Sequence, residues 1–389
     1  MTGLSFDLTQ EQEQLRQAVR DFTERECPKD VARRLEAARD FPEDLARRIA
    51  KAGLNGIGIP EEYGGQGGDL LDQTIVCEEL SRTLGGLAWL WGINVWSGAR
   101  AVLHHGNAAQ KESYLPAVAS GDLRFAFAMT EPAGGTDVLR AMTTKASPAD
   151  GGYVLRGTKI WSTTAHVADR IMVTARTSSE DPKPSRGLTI FLVDGKSPGL
   201  TATPIPKIGM RSLGSCEVVF DDVFVPEADV LGEVGEGWRQ VTSSLNAERV
   251  MVAAMCTGIL QGVLEDAVAY ASQRHAFGKP IGQMQAIQHG IADIAMKHHS
   301  ARLLTYQAAW LEQGGKPSGV AATTAKCLTS EWAVESADFG IQVLGGYGYA
   351  EEFDMQRYWR DARLYRIGPI TNEMARNYIG ESLGLPRSF

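Results

Sequence analysis

A glutamate–arginine pair lies within an otherwise apolar stretch, LNAERVMVAAM, which begins at Leu245. If the stretch is helical, Glu248 shares one face with Val252 and Met255, because residues three or four positions apart lie on the same side of a helix. A carboxylate on an apolar face loses water and costs free energy unless a partner compensates it. Either Arg249 or a backbone group is that partner, or the position serves chemistry that needs a poorly hydrated carboxyl group.

A glycine-containing loop interrupts the stretch FAFAMTEPAGGTDV, residues 125–138, which begins as a strand. Backbone N–H groups in such a loop can approach an anion such as a pyrophosphate, and the hydroxyls of Thr130 and Thr136 can add to them. A plain β-turn is the alternative interpretation of the glycine pair. The loop lacks the G-x-G-x-x-G and G-K-[ST] patterns, so it supports neither a Rossmann unit nor a P-loop.

A tryptophan, Trp161, precedes three hydroxyl residues in GTKIWSTTAHVAD. A flat indole beside hydroxyl groups suits a ligand that combines aromatic rings with hydrogen-bonding nitrogens, such as a flavin. Taken alone, the motif is explained more simply by a tryptophan in the protein core.

Two cations, Arg274 and Lys279, lie near a turn in SQRHAFGKPIGQMQAIQ, just before a predicted helix. Cations at a helix junction can bind phosphate groups, and they can equally be solvated surface residues. The sequence leaves both alternatives open.

Hydrophobic periodicity divides the chain into three parts. Apolar residues recur every three to four positions at first, alternate with polar residues in the middle, and return to helical spacing at the end. We therefore predict an α+β multi-domain fold with an N-terminal helical domain at 1–124, a central antiparallel β domain at 125–234 and a C-terminal helical bundle at 235–389. The bundle is expected to contain long helices at 236–273, 283–313 and 318–344. Ligands commonly bind in the clefts between such domains.

The composition is that of an ordinary globular protein, with 43% hydrophobic and 22% charged residues and a net charge of −8. The negative charge argues against nucleic-acid or anionic membrane partners and favours small-molecule chemistry. No stretch approaches eighteen uninterrupted apolar residues, so no membrane-spanning helix is expected.

The N-terminal segment MTGLSFDLTQEQEQLRQAVRDF contains no apolar signal core and is predicted to begin the first helix, with Thr9 and Gln12 as a capping box. The five cysteines form no C-x-x-C pair and have no histidine partners at ligand spacing. We therefore expect no metal site and a reducing, cytoplasmic location.

Six stretches in this order resemble signatures of the acyl-CoA dehydrogenase family: PEEYGGQGGD, MTEPAGGTD, GTKIWSTTA, IGMRSLGSCEVVFDDVFVP, RHAFGKPIGQMQAIQ and QVLGGYGYAEEF. The resemblance implies the family fold, a helical domain followed by a β-barrel-like domain and a helical bundle. It also implies FAD held between the β domain and the C-terminal bundle of a homotetramer, a dimer of dimers whose dimer contacts complete each flavin site. The implied substrate is an acyl-CoA, and the implied electron acceptor is an electron-transferring flavoprotein.

The resemblance also assigns the site residues by motif position. Trp161 and Thr163 are implied to lie at the isoalloxazine, with Thr163 near N5. The other implied flavin and pyrophosphate contacts within the same chain are Phe127, Met129, Thr130 and Thr136. The neighbouring subunit is implied to supply Arg274, Phe277, Gln285 and the turn Gln342, Val343, Gly345 and Gly346. Thr371 and Glu373 are implied to close over the cofactor, and the acyl-CoA contacts are Thr136, Asn246 and Arg249.

Most of the family places its catalytic glutamate in a C-terminal segment that resembles RIGPITNEM here. At the matching position this chain has Pro369, which cannot accept a proton, followed by Ile370 where the family usually has glycine. Isovaleryl-CoA and long-chain types place the glutamate on the long helix, in an ER pair that matches Glu248 and Arg249. The resemblance therefore implies that Glu248 removes the α-proton of the thioester while hydride leaves the β-carbon. The alternative is a structural ion pair.

Other activities on this fold stay open at this point. They include enoyl-CoA reductases, acyl-carrier-protein dehydrogenases, a desulfinase, nitroalkane oxidases and flavin monooxygenases. A flavin-containing scaffold or nucleic-acid-binding relative would need a basic surface, which the net charge of −8 does not favour. The tryptophan-rich stretch WLWGINVWSGARAV is interpreted as helix core.

Overall fold

The computed structural model describes residues 7–181 and 183–387. Its helices are α1 (Gln10–Glu26), α2 (Lys29–Ala38), α3 (Glu43–Lys51), α4 (Leu70–Ser81), α5 (Gly85–Gly92), α6 (Arg100–His105), α7 (Ala108–Ser120), α8 (Val138–Ala141), α9 (Gly237–Ser243), α10 (Leu245–Gln273), α11 (Gln285–Gln313), α12 (Gly319–Leu344), α13 (Gly346–Tyr349), α14 (Met355–Leu364) and α15 (Asn372–Ser382). Its strands are β1 (Phe125–Ala128), β2 (Lys145–Ala149), β3 (Gly152–Thr163), β4 (Arg170–Arg176), β5 (Leu188–Asp194), β6 (Leu200–Ile205), β7 (Ser215–Pro226), β8 (Val230–Leu231), β9 (His275–Ala276) and β10 (Lys279–Pro280).

The described chain forms two compact units. Among the described residues, the helical unit comprises 7–33, 69–88 and 249–387, and the sheet unit comprises 34–68, 89–181 and 183–248. The division falls within α10, directly after Glu248. The order of elements is helices, then a sheet, then helices, as the α+β multi-domain prediction requires.

The sheet has the strand order β6-β7-β3-β2-β4-β5-β8, and β1 pairs with β4. The prediction of a purely antiparallel sheet is wrong in one respect. β1 runs parallel to β4, with Phe125 opposite Arg170 and Ala128 opposite Val173, and β2 also meets β4 in parallel at Lys145. Side chains alternate in the same way in parallel and antiparallel strands, so the sequence pattern could not reveal the direction of pairing.

The long C-terminal helices lie close to their predicted positions. α11 and α12 agree with the predicted bounds to within two residues, whereas the segment predicted as 236–273 is divided into α9 and α10 at Ser244. The hydroxyls of Thr242, Ser243 and Ser244 donate to backbone carbonyls one turn earlier, at 2.7–3.0 Å. Such bonds compete with the regular helical pattern and explain the interruption.

The N-terminal capping box is confirmed. The Thr9 hydroxyl accepts from the Gln12 backbone N–H at 3.2 Å, and the Gln12 side chain accepts from the Thr9 N–H at 3.1 Å. Two donors that the first turn of α1 would leave unpaired are thereby satisfied.

Helix α10 forms the centre of the helical unit from Arg249 onward. Its residues from Val250 to Cys256 are almost completely buried. A Cβ atom on Gly258 would lie 2.0 Å from the carbonyl oxygen of Glu78, so only glycine allows α4 to pack this closely. By length and composition alone α10 could cross a membrane, but 78% of its most apolar window is buried within the protein, as in a core helix.

Candidate active site

The backbone at Trp161 has a left-handed conformation, with φ of +63°. The pairing of β3 with β7 shifts register between Lys159 and Ser162, so Trp161 lies at a β-bulge. Trp161 is 57% exposed. Trp161 is therefore not a core residue of the described chain, and a left-handed backbone that presents a large ring marks a candidate ligand contact.

The segment after β1 lies directly beside this bulge. The Ile160 N–H donates to the carbonyl of Thr130 at 2.8 Å, and the Lys159 ammonium donates to the carbonyl of Met129 at 3.0 Å. Phe127, Met129 and Thr130 are half-buried. The structure therefore brings Met129 and Thr130 next to the strand segment that carries Trp161, as the shared flavin assignment requires.

A buried ion pair holds this arrangement in place, and the sequence analysis missed it. The Lys159 ammonium lies 2.9 Å from a Glu131 carboxylate oxygen, and both side chains are buried. Glu131 also accepts from the Thr143 N–H at 2.7 Å, the Thr143 hydroxyl at 2.6 Å and the Thr144 N–H at 2.9 Å. Burial alone would raise the pKa of Glu131, but the Lys159 charge and these hydrogen bonds outweigh it and lower the pKa to about 2.

Two other predicted residues of the sheet unit differ in exposure. Thr163 is almost completely buried at the end of β3, where it pairs with Ser215. Thr136 is exposed in the glycine loop, and Gly135 beside it has φ of +48° with open space around the position of a Cβ. The Gly134 N–H is hydrogen-bonded to the Glu131 carbonyl at 2.9 Å, so the turn itself already uses this donor.

Glu248 lies in the first turn of α10 and is half-buried. Its N–H donates to the Ser244 carbonyl at 3.0 Å. The prediction that Glu248 shares a helical face with apolar residues is confirmed. Val252 and Met255, one and two turns further along the same face of α10, are buried. Glu248 therefore projects from a helical face whose continuation is apolar.

Arg249 is buried, and Asn246 is half-buried. Within the helical unit, the Arg249 guanidinium lies over the ring of Tyr378, 5.1 Å from its centroid. This distance is typical of a cation–π contact. Sequence analysis missed Tyr378, because nothing in a single sequence links a residue on α10 with one on α15.

The helical unit contains a groove of about 810 Å³. It is lined by four of the residues predicted to contact the cofactor of a neighbouring subunit: Arg274, Val343, Gly345 and Gly346. Tyr270 and Tyr347 line it as well, and the Arg274 guanidinium lies 6.0 Å from the Tyr347 ring centroid. Glu351 and Glu352 also line the groove, so its charge is mixed.

Three further predicted residues are exposed but do not line this groove. Phe277 is 95% exposed at the tip of the β9–β10 hairpin, where its φ of +52° is again left-handed. Gln285 begins α11, and Gln342 lies in the last turn of α12.

The C-terminal candidates Thr371 and Glu373 lie at the start of α15. The Thr371 hydroxyl caps this helix by accepting from the Met374 N–H at 3.2 Å. Glu373 is exposed, and hydrogen bonding to its own backbone N–H lowers the pKa of its carboxyl group. Both residues thus have a local structural role that is independent of a cofactor.

The chain matches three domain families over nearly its whole length. Residues 9–122 match the acyl-CoA dehydrogenase N-terminal domain, residues 126–223 the middle domain and residues 235–384 the C-terminal domain. The chain belongs to the acyl-CoA dehydrogenase family. It is accordingly an oxidoreductase of the flavoprotein class to which acyl-CoA dehydrogenases belong.

Individual acyl-CoA dehydrogenases and fold relatives are similar along most of the chain. Mitochondrial isovaleryl-CoA dehydrogenase of Arabidopsis thaliana is 40% identical over 333 residues, which are 85% of this chain and 80% of that protein. The structure of butyryl-CoA dehydrogenase from Megasphaera elsdenii has a TM-score of 0.93 and 34% identity, covering 98% of this chain and all of that one. An FAD complex of PigA has a TM-score of 0.92 and 29% identity, covering 98% and 100%.

Proposed function

We propose that this chain is an FAD-dependent acyl-CoA dehydrogenase that converts an acyl-CoA into a 2-enoyl-CoA, with Glu248 as the catalytic base. The observation that carries the proposal is the position of Glu248, a half-buried carboxylate on a helical face that continues with buried apolar side chains. The C-terminal segment that resembles the usual base position has Pro369 instead, which has no group to accept a proton. Glu248 is thus the carboxylate that fits the family chemistry.

The proposed reaction needs a base at the α-carbon and an acceptor for the β-hydride. Glu248 accepts the α-proton, and the apolar residues on its face keep water away from the path of transfer. FAD, when bound, accepts the hydride. Asn246, in the same turn of α10, and Arg249, the next residue, are proposed to orient the thioester, because amide and guanidinium groups can donate hydrogen bonds to its oxygen atoms.

Features of the sheet unit fit a flavin. The exposed Trp161 indole offers an aromatic face, and the neighbouring Thr130 and Thr163 are hydroxyl residues. Met129 and Thr130 are held beside the β3 segment that carries Trp161 by the Lys159 ammonium, which also pairs with Glu131, and by the Ile160 N–H. The FAD complex of PigA, on the same fold, supports this choice of cofactor.

We further propose that the protein is a homotetramer, arranged as a dimer of dimers, which acts in the cytoplasm and passes electrons to an electron-transferring flavoprotein. Two features support the homotetramer: Phe277 is almost fully exposed, and Arg274 lines a groove. Both residues are among those implied to contact the FAD of a neighbouring subunit. In this arrangement each helical unit supplies contacts to the FAD of its neighbour.

The function is tested by anaerobic titration of the yellow holoenzyme with short, branched, long and aromatic acyl-CoAs, following flavin absorbance. We expect one class to bleach the flavin and to yield its 2-enoyl-CoA, identified by mass spectrometry. Bleaching by none of these substrates would refute the proposal. The same titration with carrier-protein thioesters would then ask whether the chain is instead an acyl-carrier-protein dehydrogenase.

We predict that Trp161→Ala weakens FAD binding roughly 5- to 150-fold, since stacking on an aromatic side chain is worth about 1–3 kcal/mol and 1.4 kcal/mol is a factor of ten. The free energy of unfolding of the apoprotein should change by less than about 0.5 kcal/mol, because exposed side chains contribute little to stability. Trp161→Phe keeps an aromatic face and should show a smaller loss. Unchanged flavin affinity, measured by fluorescence quenching, would contradict the assignment.

We also predict that Arg274→Met weakens FAD retention more than Lys279→Met. The sequence alone treats these two cations alike, but only Arg274 lines the groove. Losing a charged hydrogen-bond donor to a phosphate costs about 1.5–3 kcal/mol, or roughly 10- to 100-fold in affinity. Flavin release on dilution at increasing salt measures the difference, and equal losses in the two variants would argue against a specific role for Arg274.

A further inference from the structure

A buried carboxylate on α2 has no part in the chemistry described above. Glu36 is 2% exposed. Its carboxylate accepts hydrogen bonds from the Arg211 N–H, the Ser212 N–H and the Ser212 hydroxyl, each at 3.0 Å. Burial of a carboxylate is costly unless donors compensate it, and hydrogen bonds to a charged acceptor are stronger than those between neutral groups. Glu36 therefore binds the backbone at 211–212 firmly, and all of these residues belong to the sheet unit.

The two bound N–H groups belong to the loop of residues 206–214, which joins β6 to β7. Inside the loop, the Lys207 ammonium donates to the carbonyls of Met210 and Leu213, both of which are buried residues. Met210 has a left-handed backbone, with φ of +47°. The loop is thus folded around Lys207, and the Glu36 carboxylate fixes it to α2.

The C-terminal end of this loop contacts the end of β3. The Thr164 N–H donates to the Gly214 carbonyl at 2.6 Å, and Ser215, the residue after Gly214, pairs with Thr163. A Cβ atom on Gly214 would lie 2.3 Å from Cε1 of His166, so a larger residue here would displace the His166 ring. The position of the loop therefore sets the position of the backbone at Thr163 and Thr164.

Two left-handed residues mark the same end of β3. Trp161 has φ of +63° and Thr164 has φ of +62°, and the two residues between them pair with β7 after the register shift. Residues other than glycine keep such a backbone only where the surrounding structure holds them in it. The segment 161–164 is held by β7 and by the 206–214 loop, so the backbone that presents the exposed Trp161 depends on the loop.

We propose that Glu36 is a positioning residue for the flavin site, which acts by holding the 206–214 loop against the end of β3. This inference rests on the proposed function, in which Trp161 contacts FAD. While Glu36 binds the loop, Thr164 keeps its partner Gly214 and Trp161 keeps its left-handed backbone. When this anchor is lost, the segment 161–164 loosens and the indole is no longer presented in one orientation, so FAD binds more weakly.

Glu36→Gln tests this role, with Glu62→Gln as the matched control. Glutamine has nearly the same shape as glutamate, but its amide nitrogen accepts no hydrogen bond, so one of the two loop N–H groups loses its acceptor. Glu62 is an exposed carboxylate in the same unit. In the full chain without bound flavin, hydrogen exchange of the Thr164 amide should become roughly tenfold faster in Glu36→Gln, as expected when a hydrogen bond to a charged group is lost, and stay unchanged in Glu62→Gln.

The amides of β4 provide an internal reference, because this strand lies between β2 and β5 within the sheet. Their exchange in Glu36→Gln should accelerate less than that of Thr164, since a local anchor loosens mainly the segment that it holds. Unchanged exchange of Thr164, or equal acceleration at Thr164 and in β4, would overturn the proposal whether or not the protein binds FAD. Ser212→Ala, which removes the hydroxyl donor from the loop side, replaces Glu36→Gln if that variant fails to fold.

FAD affinity, measured by fluorescence quenching, provides the second readout. Glu36→Gln should weaken FAD binding several-fold, but by less than Trp161→Ala does, because it acts through the Trp161 ring. When Trp161 is already alanine, adding Glu36→Gln should cause little further loss, since the effects of coupled residues are not additive. Fully additive losses, or unchanged affinity in Glu36→Gln, would overturn the positioning role, whereas absence of FAD binding by the wild type would instead count against the proposed function.

Discussion

Glu248→Gln is expected to lower kcat for the preferred acyl-CoA by roughly 10²- to 10⁴-fold, the usual contribution of a positioned general base. Glutamine has nearly the same shape as glutamate and can fill the same space on α10, but it cannot accept the α-proton. FAD content should match that of the wild type, because none of the proposed flavin contacts is altered. Stopped-flow measurement of flavin reduction in a single turnover isolates the affected step.

Two further variants make the Glu248 result specific. Glu227→Gln removes an exposed carboxylate from the sheet unit and should leave the rate of reduction within about twofold of wild type, as expected for a surface substitution. Glu248→Asp keeps a carboxylate but withdraws it by one methylene, and should give an intermediate rate because proton transfer depends on reach. If Glu248→Gln reduces flavin at the wild-type rate, Glu248 has a structural role instead.

The sequence alone was sufficient for the parts of the fold that local pattern determines. The periodicity of α11 and α12 gave their bounds to within two residues, and Thr9 and Gln12 form the predicted capping box. The face shared by Glu248, Val252 and Met255 follows directly from helical geometry. Each of these features depends on residues that are close together in the chain.

Features that depend on distant parts of the chain were not predictable in this way. The parallel pairing of β1 with β4 joins strands more than 40 residues apart. The contact between Arg249 and Tyr378 and the hydrogen bond from Lys326 to Asn372 each link separate helices. The left-handed backbone at Trp161 arises from a register shift between β3 and β7, and a single sequence contains no signal for such a shift.

The Glu131–Lys159 pair joins two motifs that are separate in the sequence. Both residues occur in family-like motifs, MTEPAGGTD and GTKIWSTTA, but no pattern within either motif predicts that the two side chains pair. The structure joins the two motifs through these side chains and through the carbonyl of Met129. The segments that carry the candidate flavin contacts Thr130 and Trp161 are therefore joined by a buried ion pair.

Lys159→Met is consequently expected to lower the free energy of unfolding by about 3–5 kcal/mol, the usual cost of removing one partner from a buried pair. The loss comes mainly from leaving the Glu131 charge buried without its counter-ion. The double variant Glu131→Leu with Lys159→Met removes both charges and should recover part of the stability, since apolar replacement of a whole buried pair is often tolerated. Urea unfolding at pH 7 measures all three proteins.

The acid dependence of stability provides an independent test of the same pair. The pKa of Glu131 is about 2 in the folded protein, below its ordinary value of 4.5, so its stabilisation is present above pH 4.5 and is lost as the pH falls towards 2. Wild type should therefore lose more stability than Glu131→Gln between pH 5 and pH 3.

FAD retention should also fall in Lys159→Met, because the Met129 carbonyl loses the ammonium donor that holds it beside the β3 segment with Trp161. A variant that keeps both its stability and its flavin would show that the pair does not hold the site in place.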